Sequence, residues 1–294
     1  MRTPGLSAAC VAALTLGVGV AAASASELPS QVSTNWAGYA AITGTTTHAF
    51  AKRFTTVSGS WVQPVATCVP GQPTFSAFWV GLGGYRKSSQ SLEQIGTEAD
   101  CSGNGSVSYY AWYEYVPAGP HTIRVIPVNA GDTIDATVQV AGDAAIVSLS
   151  DVTSGLSFTH KKIMRSPRPD VGAAEWIAEA PSNCNRNNCT PLALTNFGTV
   201  NFTNATATAV GLDGVHSGVV DDPDWIYGAI NLQGMGHFRF GHDIASSASV
   251  GALTASGNAF SVTYTGGQPP APAPSSGPTG GTGTSGSSGA TGVT

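Results

Sequence analysis

FSAFWVGLGG, residues 75–84, and VSYYAWYEYVP, residues 107–117, carry the clearest strand signals in the chain. Both runs are rich in aromatic and apolar residues, both end at glycine or proline, and neither has the periodicity of a helix. Similar runs recur along the chain as FTTVSGSWVQP, HTIRVIPV, TIDATVQVAG, AAIVSLSDV, LSFTHKKI, AEWIAEA, GTVNFTNATATAV and FSVTYTGG. A weak helical signal occurs only near residues 222–227. Roughly ten or more strands in one domain predict an all-β fold, an antiparallel β-sandwich.

The two ends of the chain depart from this pattern. Residues 1–25 have a basic start, an apolar stretch and the small residues Ala23-Ser24-Ala25, which is typical of a secretory signal peptide. A membrane anchor is the competing interpretation, but the apolar stretch is short for one. Residues 266–294 are rich in Gly, Ser, Thr and Pro and predict a disordered tail. We therefore predict one folded domain, residues 26–265, in a protein secreted to the extracellular space.

The composition limits the possible partners. Charged residues make up 10% of the chain, well below the usual share of about 25%. Without residues 1–25, the 11 remaining bases and 17 acids leave a formal net charge of −6. We therefore expect no nucleic-acid partner, no membrane contact after signal cleavage, and a monomer. A surface with so few charges gains little net charge on acidification, so it permits an acidic environment.

Four cysteines remain after residues 1–25 are removed: Cys68, Cys101, Cys184 and Cys189. An even number in a secreted chain predicts two disulfides, for which there are three connectivities. Cys184 and Cys189 can close a short local loop, which leaves Cys68 with Cys101. Zinc is the competing interpretation, but the spacings contain no CxxC pair.

Several common catalytic motifs are missing from the sequence. There is no HExxH, no GxSxG and no phosphate-binding glycine loop, and the paired Asp-Thr/Ser-Gly motifs of pepsin-like enzymes are absent. The six histidines are scattered along the chain. We therefore expect no metal and no cofactor.

Acidic residues stand out within the aromatic runs. Glu114, Glu175 and Glu179 lie in β-rich apolar sequence, where a carboxylate is costly unless it is paired or used. The alternative is that they face solvent on edge strands. Glu175 and Glu179 share one face of a strand but lie about 13 Å apart. The usual glycosidase carboxyl pair is separated by roughly 5 to 9.5 Å, so these two do not form one.

Six sequence elements, in this order, resemble the glutamic peptidases, or eqolisins, a family of fungal acid endopeptidases. They are STNWAG at 33–38, WVG at 79–81, QIG at 94–96, YYAWYE at 109–114, AEWIAE at 174–179 and FGTVNFTNA at 197–205. The resemblance covers most of residues 33–265. It implies a sandwich of two long, curved antiparallel sheets of the concanavalin A-like or jelly-roll type. It also implies a glutamine and a glutamate that together catalyse peptide hydrolysis in a cleft.

The resemblance assigns roles to individual residues. Gln94 matches the family's glutamine, and the spacing favours Glu179 as the glutamate, with Glu175 as the alternative. The residues matching the lining of the same cleft are Trp36, Trp79, Trp112, Glu98, Glu114 and Glu175. The chain also departs from the fungal pattern, because Gly83, Glu98 and Tyr110 each stand where the fungal members have Asp.

An amide suits this chemistry in acid. Peptide hydrolysis needs an activated water, a donor for the developing oxyanion and a proton for the leaving amine. A buried glutamate can move the protons, and Gln94 can donate its amide hydrogens at any pH. We therefore predict a metal-independent acid endopeptidase that acts on proteins or peptides. The alternative is a secreted β-sandwich that binds carbohydrate or degrades polysaccharide.

Overall fold

The computed structural model describes residues 26–43, 52–185, 188–236 and 243–266. The predicted signal peptide and the tail beyond residue 266 lie outside the described residues. Within those ranges the chain forms 18 β-strands and no helix. The strands are β1 (Ser26–Ser33), β2 (Trp36–Ile42), β3 (Arg53–Val62), β4 (Ala77–Gly83), β5 (Leu92–Cys101), β6 (Val107–Val116), β7 (His121–Pro127), β8 (Thr133–Ala141), β9 (Ala144–Asp151), β10 (Leu156–Ile163), β11 (Ala173–Glu179), β12 (Ser182–Asn185), β13 (Asn188–Pro191), β14 (Thr199–Gly211), β15 (Gly214–Val219), β16 (Ile226–Gly236), β17 (Ile244–Val250) and β18 (Phe260–Gly266).

Sixteen of these strands are hydrogen-bonded into one continuous sheet, and β12 and β13 form a separate hairpin. The order is β10-β9-β8-β3-β14-β18-β17-β16-β2-β11-β4-β5-β6-β7, with β1 on β16 and β15 on β14. All neighbours in this order are antiparallel, and β1 runs parallel to β16. The sheet folds back on itself so that β4, β5 and β11 pack against β3, β8 and β9. The predicted all-β antiparallel sandwich is therefore confirmed.

The two layers enclose one large apolar core. On β8 and β9 buried residues alternate with exposed or half-buried ones, because one face meets the core and the other meets water. Two tryptophans join the layers through their indole nitrogens. Trp61 Nε1 donates to Thr97 Oγ1 at 3.0 Å, and Trp176 Nε1 donates to the backbone oxygen of Ser58 at 2.7 Å. Both of these indole N–H groups thus have an acceptor in the opposite layer, which fixes how the layers stack.

Strands β4 and β11 are buried on both faces. All seven residues of β4 and the first six of β11 are buried. One side of β11 presents Ala174, Trp176 and Ala178 to the main core, while Ile177 packs in a second cluster on the opposite face. This second face is called the site face below, since it carries the acidic residues of AEWIAE.

One region differs from the simplest sequence expectation. Residues 222–225 form turns, and β16 begins at Ile226, so the weak helical signal there is not realised. Proline at position 223 and the three aspartates around it favour turns over a helix. In the described part of the chain there is no helix that could cross a membrane.

The structure contains two disulfides, Cys68–Cys101 and Cys184–Cys189, the pairing that the sequence predicts. The first ties the segment after β3 to the last residue of β5, at a sequence separation of 33. The second joins β12 to β13 between directly paired residues of their hairpin. The first bridge therefore holds β5, and with it Gln94, to a distant part of the chain.

We expect the two disulfides to differ in their effect on stability. A cross-link restricts the unfolded chain more when its loop is longer, so losing Cys68–Cys101 should cost roughly 3 to 4 kcal/mol. Losing Cys184–Cys189 should cost about 2 kcal/mol in the same model. Urea unfolding of the two double-alanine variants measures both values. Equal losses would contradict the loop-length explanation.

Two carboxyl groups are buried without a hydrogen-bond partner. The side chains of Glu93 on β5 and Glu175 on β11 have no exposed surface, and neither carboxyl has a partner for its oxygens. Burial raises the pKa of Glu93 to about 8, and it raises the pKa of Glu175 well above its usual range. Asp170 adds repulsion to both. Both groups are therefore neutral in the folded protein at acidic pH.

This burial predicts a fold that is stable in acid and unstable in alkali. The pKa values of Glu93 and Glu175 are higher in the folded than in the unfolded protein. Their contribution to folding stability is therefore complete below the unfolded pKa of about 4.3, and it is lost as pH rises through the folded-state pKa values. We expect Glu93→Gln and Glu175→Gln each to reduce the fall in unfolding free energy between pH 4 and pH 8. Denaturant titrations across this range test the expectation.

Asp135→Asn is the matched control, since Asp135 is an exposed acid on β8. It should leave the slope of stability against pH unchanged. A Glu93→Gln variant with the wild-type slope would show that the buried carboxyl does not control alkaline unfolding.

Candidate active site

The register of the antiparallel strands arranges the site face in three cross-strand rows. The Gln94 row contains Glu175, Gly81, Gln94 and Glu114; the tryptophan row contains Ile177, Trp79, Gly96 and Trp112; the Glu179 row contains Glu179, Ala77, Glu98 and Tyr110. Side chains two residues apart on a strand share a face, so the three rows project to the same side. The sheet therefore collects residues from four separate sequence motifs on one surface.

Gln94 is paired with Glu114 on the neighbouring strand. Its Nε2 donates to Glu114 Oε2 at 2.6 Å, while its Oε1 has no partner. A primary amide carries two hydrogens, so one remains after this bond is made. Burial raises the pKa of Glu114, and the hydrogen bond from Gln94 opposes the rise. The bond to Glu114 fixes which way the amide of Gln94 points.

Glu179 is held by two nitrogen donors. Its Oε1 accepts from Asn35 Nδ2 at 2.9 Å and its Oε2 from Trp79 Nε1 at 2.8 Å. Burial raises the pKa of Glu179, the Glu114 carboxylate adds to the rise, and the Trp79 and Asn35 donors oppose it. Glu179 retains some solvent exposure. Its carboxyl is therefore held in a fixed orientation by two donors.

Glu175, the alternative glutamate, lies in a different environment. It lies directly across Gly81 from Gln94, but its side chain is fully buried and both its oxygens lack partners. Burial raises its pKa, and the charges of Asp170 and Glu93 add to the rise. Neither of these two acids is hydrogen-bonded to Gln94 or to Glu179. The two glutamates of AEWIAE thus differ in burial, which their place in one short motif did not indicate.

The three predicted tryptophans all lie on the site face. Trp79 is fully buried, and its ring packs edge-to-face against Trp36 at a centroid distance of 5.1 Å. Trp112 is also buried, and its Nε1 has no hydrogen-bond partner. Gly96 lies between Trp79 and Trp112, and a Cβ there would lie 2.1 Å from the backbone oxygen of Phe78. Only glycine fits at this point in the tryptophan row.

Glu98 belongs to a second carboxyl pair. Tyr110 Oη lies 2.6 Å from Glu98 Oε2 and 2.8 Å from Asp100 Oδ2. Burial, followed by the charge of Asp100, raises the pKa of Glu98 to about 8, and burial raises the pKa of Asp100 to about 6. Glu98 also lies across Ala77 from Glu179.

Two residues that hydrogen-bond within the site, Asn35 and Asp100, were not assigned a role from the sequence. Asn35 lies inside the STNWAG motif, so its position beside Trp36 was a usable signal. Asp100 lies two residues beyond Glu98, and this spacing places both on one face of a strand. Among the described residues no cluster of His, Cys, Asp or Glu is arranged to hold a metal ion.

The departure at Gly83 has a structural counterpart. Gly83 has a φ of +89°, and a Cβ built there would lie 2.8 Å from the Cβ of Asp170. Asp170 Oδ1 accepts from the backbone nitrogen of Gly172 at 2.9 Å, and its other oxygen accepts from Ser89 Oγ. The space beside Gly83 is therefore taken by an aspartate from a different part of the chain.

Comparison with known proteins identifies the family of this chain. The model of the peptidase A4 family matches residues 34–221. Aspergillopepsin-2 from Aspergillus niger is 28% identical over 202 residues, which cover 62% of this chain and 66% of that protein, just under two thirds of its length.

Two solved structures share the fold. Scytalido-glutamic peptidase with a transition state analog inhibitor has a TM-score of 0.55 at 22% identity, over 79% of this chain and 98% of that one. SCP-B, an eqolisin in a complex with the tripeptide Ala-Ile-His, has a TM-score of 0.52 at 22% identity with the same coverage. The resemblance found in the sequence is confirmed. Because the family model covers more than half of its length, this chain belongs to the peptidase A4 family.

Proposed function

We propose that this protein is a secreted acid endopeptidase in which Gln94 and Glu179 form the catalytic pair. The observation that carries the proposal is the hydrogen bonding of the two side chains. Gln94 is oriented by Glu114 with one amide hydrogen unused, and Glu179 is oriented by Asn35 and Trp79. An oriented donor and an oriented carboxyl are what hydrolysis of an amide requires.

The chemistry follows from these two groups. Ionised Glu179 takes a proton from a water, which attacks the peptide carbonyl carbon. The second amide hydrogen of Gln94 donates to the oxygen as it becomes negative. Glu179 then returns the proton to the leaving nitrogen, so it acts first as base and then as acid. Glu114 takes no part in these proton transfers; it holds the amide of Gln94.

Glu179 is a better choice than Glu175 for physical reasons. A general base must reach the proton that it removes, and Glu175 has no exposed surface. The charge of Glu114 acts on Glu179, which indicates that Glu179 and the Gln94–Glu114 pair share one electrostatic environment. Glu175 is influenced by Asp170 and Glu93 instead.

A peptide substrate suits this surface. Trp36, Trp79 and Trp112 provide apolar area around the two catalytic groups, and an extended peptide fits along a sheet face. The structural relatives point the same way, since one was solved with a transition state analog inhibitor and one with a tripeptide. The two disulfides support an oxidising compartment, and so secretion of the domain at 26–265.

Gln94→Ala should reduce kcat/KM on a denatured protein substrate by about 10²- to 10³-fold, because a donor to the oxyanion is lost. Glu179→Gln should reduce it at least as much, since an amide cannot accept the proton of water. Both should retain the fold, which circular dichroism measures. The assay is run in acid, with pepstatin and a chelator present.

Glu175→Gln is the matched comparison, because it makes the same change four residues away on the same strand. Its main effect should be on stability against pH, with a much smaller loss of activity than Glu179→Gln. If instead Glu175→Gln abolishes activity and Glu179→Gln does not, the roles are reversed. A folded Gln94→Ala with near-normal turnover would refute the proposed pair.

The pH profile should be a bell with its maximum on the acid side. Activity falls at low pH as Glu179 takes up a proton, and its raised pKa moves this limb above the usual range of glutamate. The negative charge of Glu114 contributes to that rise. When Glu114 is protonated in acid, this contribution disappears and Glu179 can ionise at a lower pH. The alkaline limb belongs to a second carboxyl that must stay protonated. Initial rates from pH 2 to pH 8 record both limbs.

Replacing His121 or His160 by glutamine is the control for this assignment. Both stack on the ring of Tyr113 and are outside the catalytic pair. Neither change should move the profile. An alkaline limb that moves with either histidine would show that histidine takes part in the proton chemistry.

A further inference from the structure

We propose that Glu98, Tyr110 and Asp100 share one proton, and that this proton keeps Glu98 neutral opposite Glu179 and sets the alkaline limit of catalysis. The inference rests on the proposed function and adds a positioning group to it. Glu98 acts through its charge on Glu179 and has no bond-making step of its own.

Hydrogen counting at Tyr110 requires the shared proton. The hydroxyl oxygen lies within hydrogen-bond distance of one oxygen of each carboxyl, at 2.6 Å from Glu98 and 2.8 Å from Asp100. A tyrosine hydroxyl has a single hydrogen and can donate to only one of them. The other contact is a hydrogen bond only if that carboxyl is itself protonated and donates to the tyrosine. Both contacts are satisfied when one of the two acids is neutral.

The surroundings place the proton on Glu98. The titratable groups that act on Glu98 are Asp100 on its own strand, Tyr110 on β6 and Glu179 on β11. Asp100 is stabilised as an anion by hydrogen bonds from Tyr110, from the protonated Glu98 and from the backbone N–H of Ser76. Glu98 therefore donates to Tyr110, and Tyr110 donates to the ionised Asp100.

This arrangement matters because of what lies between Glu98 and Glu179. The residue that separates them in the row is Ala77, whose side chain is a single methyl group. A neutral Glu98 lets Glu179 ionise and act as base. An ionised Glu98 adds a negative charge close to Glu179 and to the oxyanion that forms during attack. Loss of the shared proton as pH rises therefore reduces catalysis.

Two substitutions should move the alkaline limb in opposite directions. Glu98→Gln is neutral at every pH, so the limb should move up by about one pH unit or more. Asp100→Asn removes the charge that raises the pKa of Glu98, so Glu98 ionises earlier and the limb should move down. Each profile is scaled to its own maximum, so the comparison does not depend on the absolute activity of a variant. A purely structural role would not give opposite shifts.

Asp135→Asn serves as the control, because it removes an exposed acid on β8 and should leave both limbs in place. Rates are taken only at pH values where the fluorescence spectrum shows the variant to be folded, since alkaline unfolding would imitate a limb. Shifts in the same direction, or no shift with either variant, would overturn the proposal.

An infrared titration separates this proposal from the proposed function. The carboxylic acid C=O band of the folded protein should lose one component in Glu98→Gln, and the titration of that component should move to lower pH in Asp100→Asn. This measurement needs no substrate. Absence of peptidase activity would refute the function alone, while wild-type infrared titrations in both variants would refute the shared proton.

Discussion

The hydrogen bond from Trp79 Nε1 to Glu179 Oε2 connects the packing of this protein to its chemistry. Trp79 is fully buried on β4, between β11 and β5, so its indole nitrogen must find an acceptor inside the protein. The acceptor is a carboxyl group. The same bond therefore satisfies a buried donor and orients a buried acid. Displacing Trp79 would disrupt the apolar cluster on the site face and would also remove one of the two donors that hold Glu179.

The acids of this protein explain why so neutral a chain suits an acidic environment. Glu93 and Glu175 are buried without partners, and Glu98 and Glu114 lie near Glu179. Charging all of these groups at once is costly at low dielectric, so the folded state binds protons more tightly than the unfolded chain. By contrast, Lys52 lies beside Asp213 and Asp224, and its hydrogen bonds and charge lower the pKa values of both aspartates.

Much of the architecture was accessible from local sequence. Short apolar runs between glycine, proline and asparagine predicted the strands. The ordered motifs predicted the family, and the match to the peptidase A4 family confirms that prediction. It favours a peptidase over the carbohydrate-related alternatives. Predictions for individual residues were less complete. Asn35 and Asp100 were missed because their roles depend on partners 144 and 10 residues away, and sequence spacing alone does not reveal such contacts. The aspartate beside Gly83 was missed for the same reason, since it comes from position 170.

The sequence by itself determined the all-β class, the disulfide pairing and the set of aromatic and acidic residues near Gln94, because period-two patterns, cysteine spacing and ordered motifs are local properties. The tertiary structure decided which of these acids are buried without partners and which are held by hydrogen-bond donors. Glu175 and Glu179 have the same residue type, strand and face, yet one is sealed and the other is held by Asn35 and Trp79. Burial and hydrogen bonding are set by strands that are distant in sequence, and they control the pKa and the access to water on which catalysis depends.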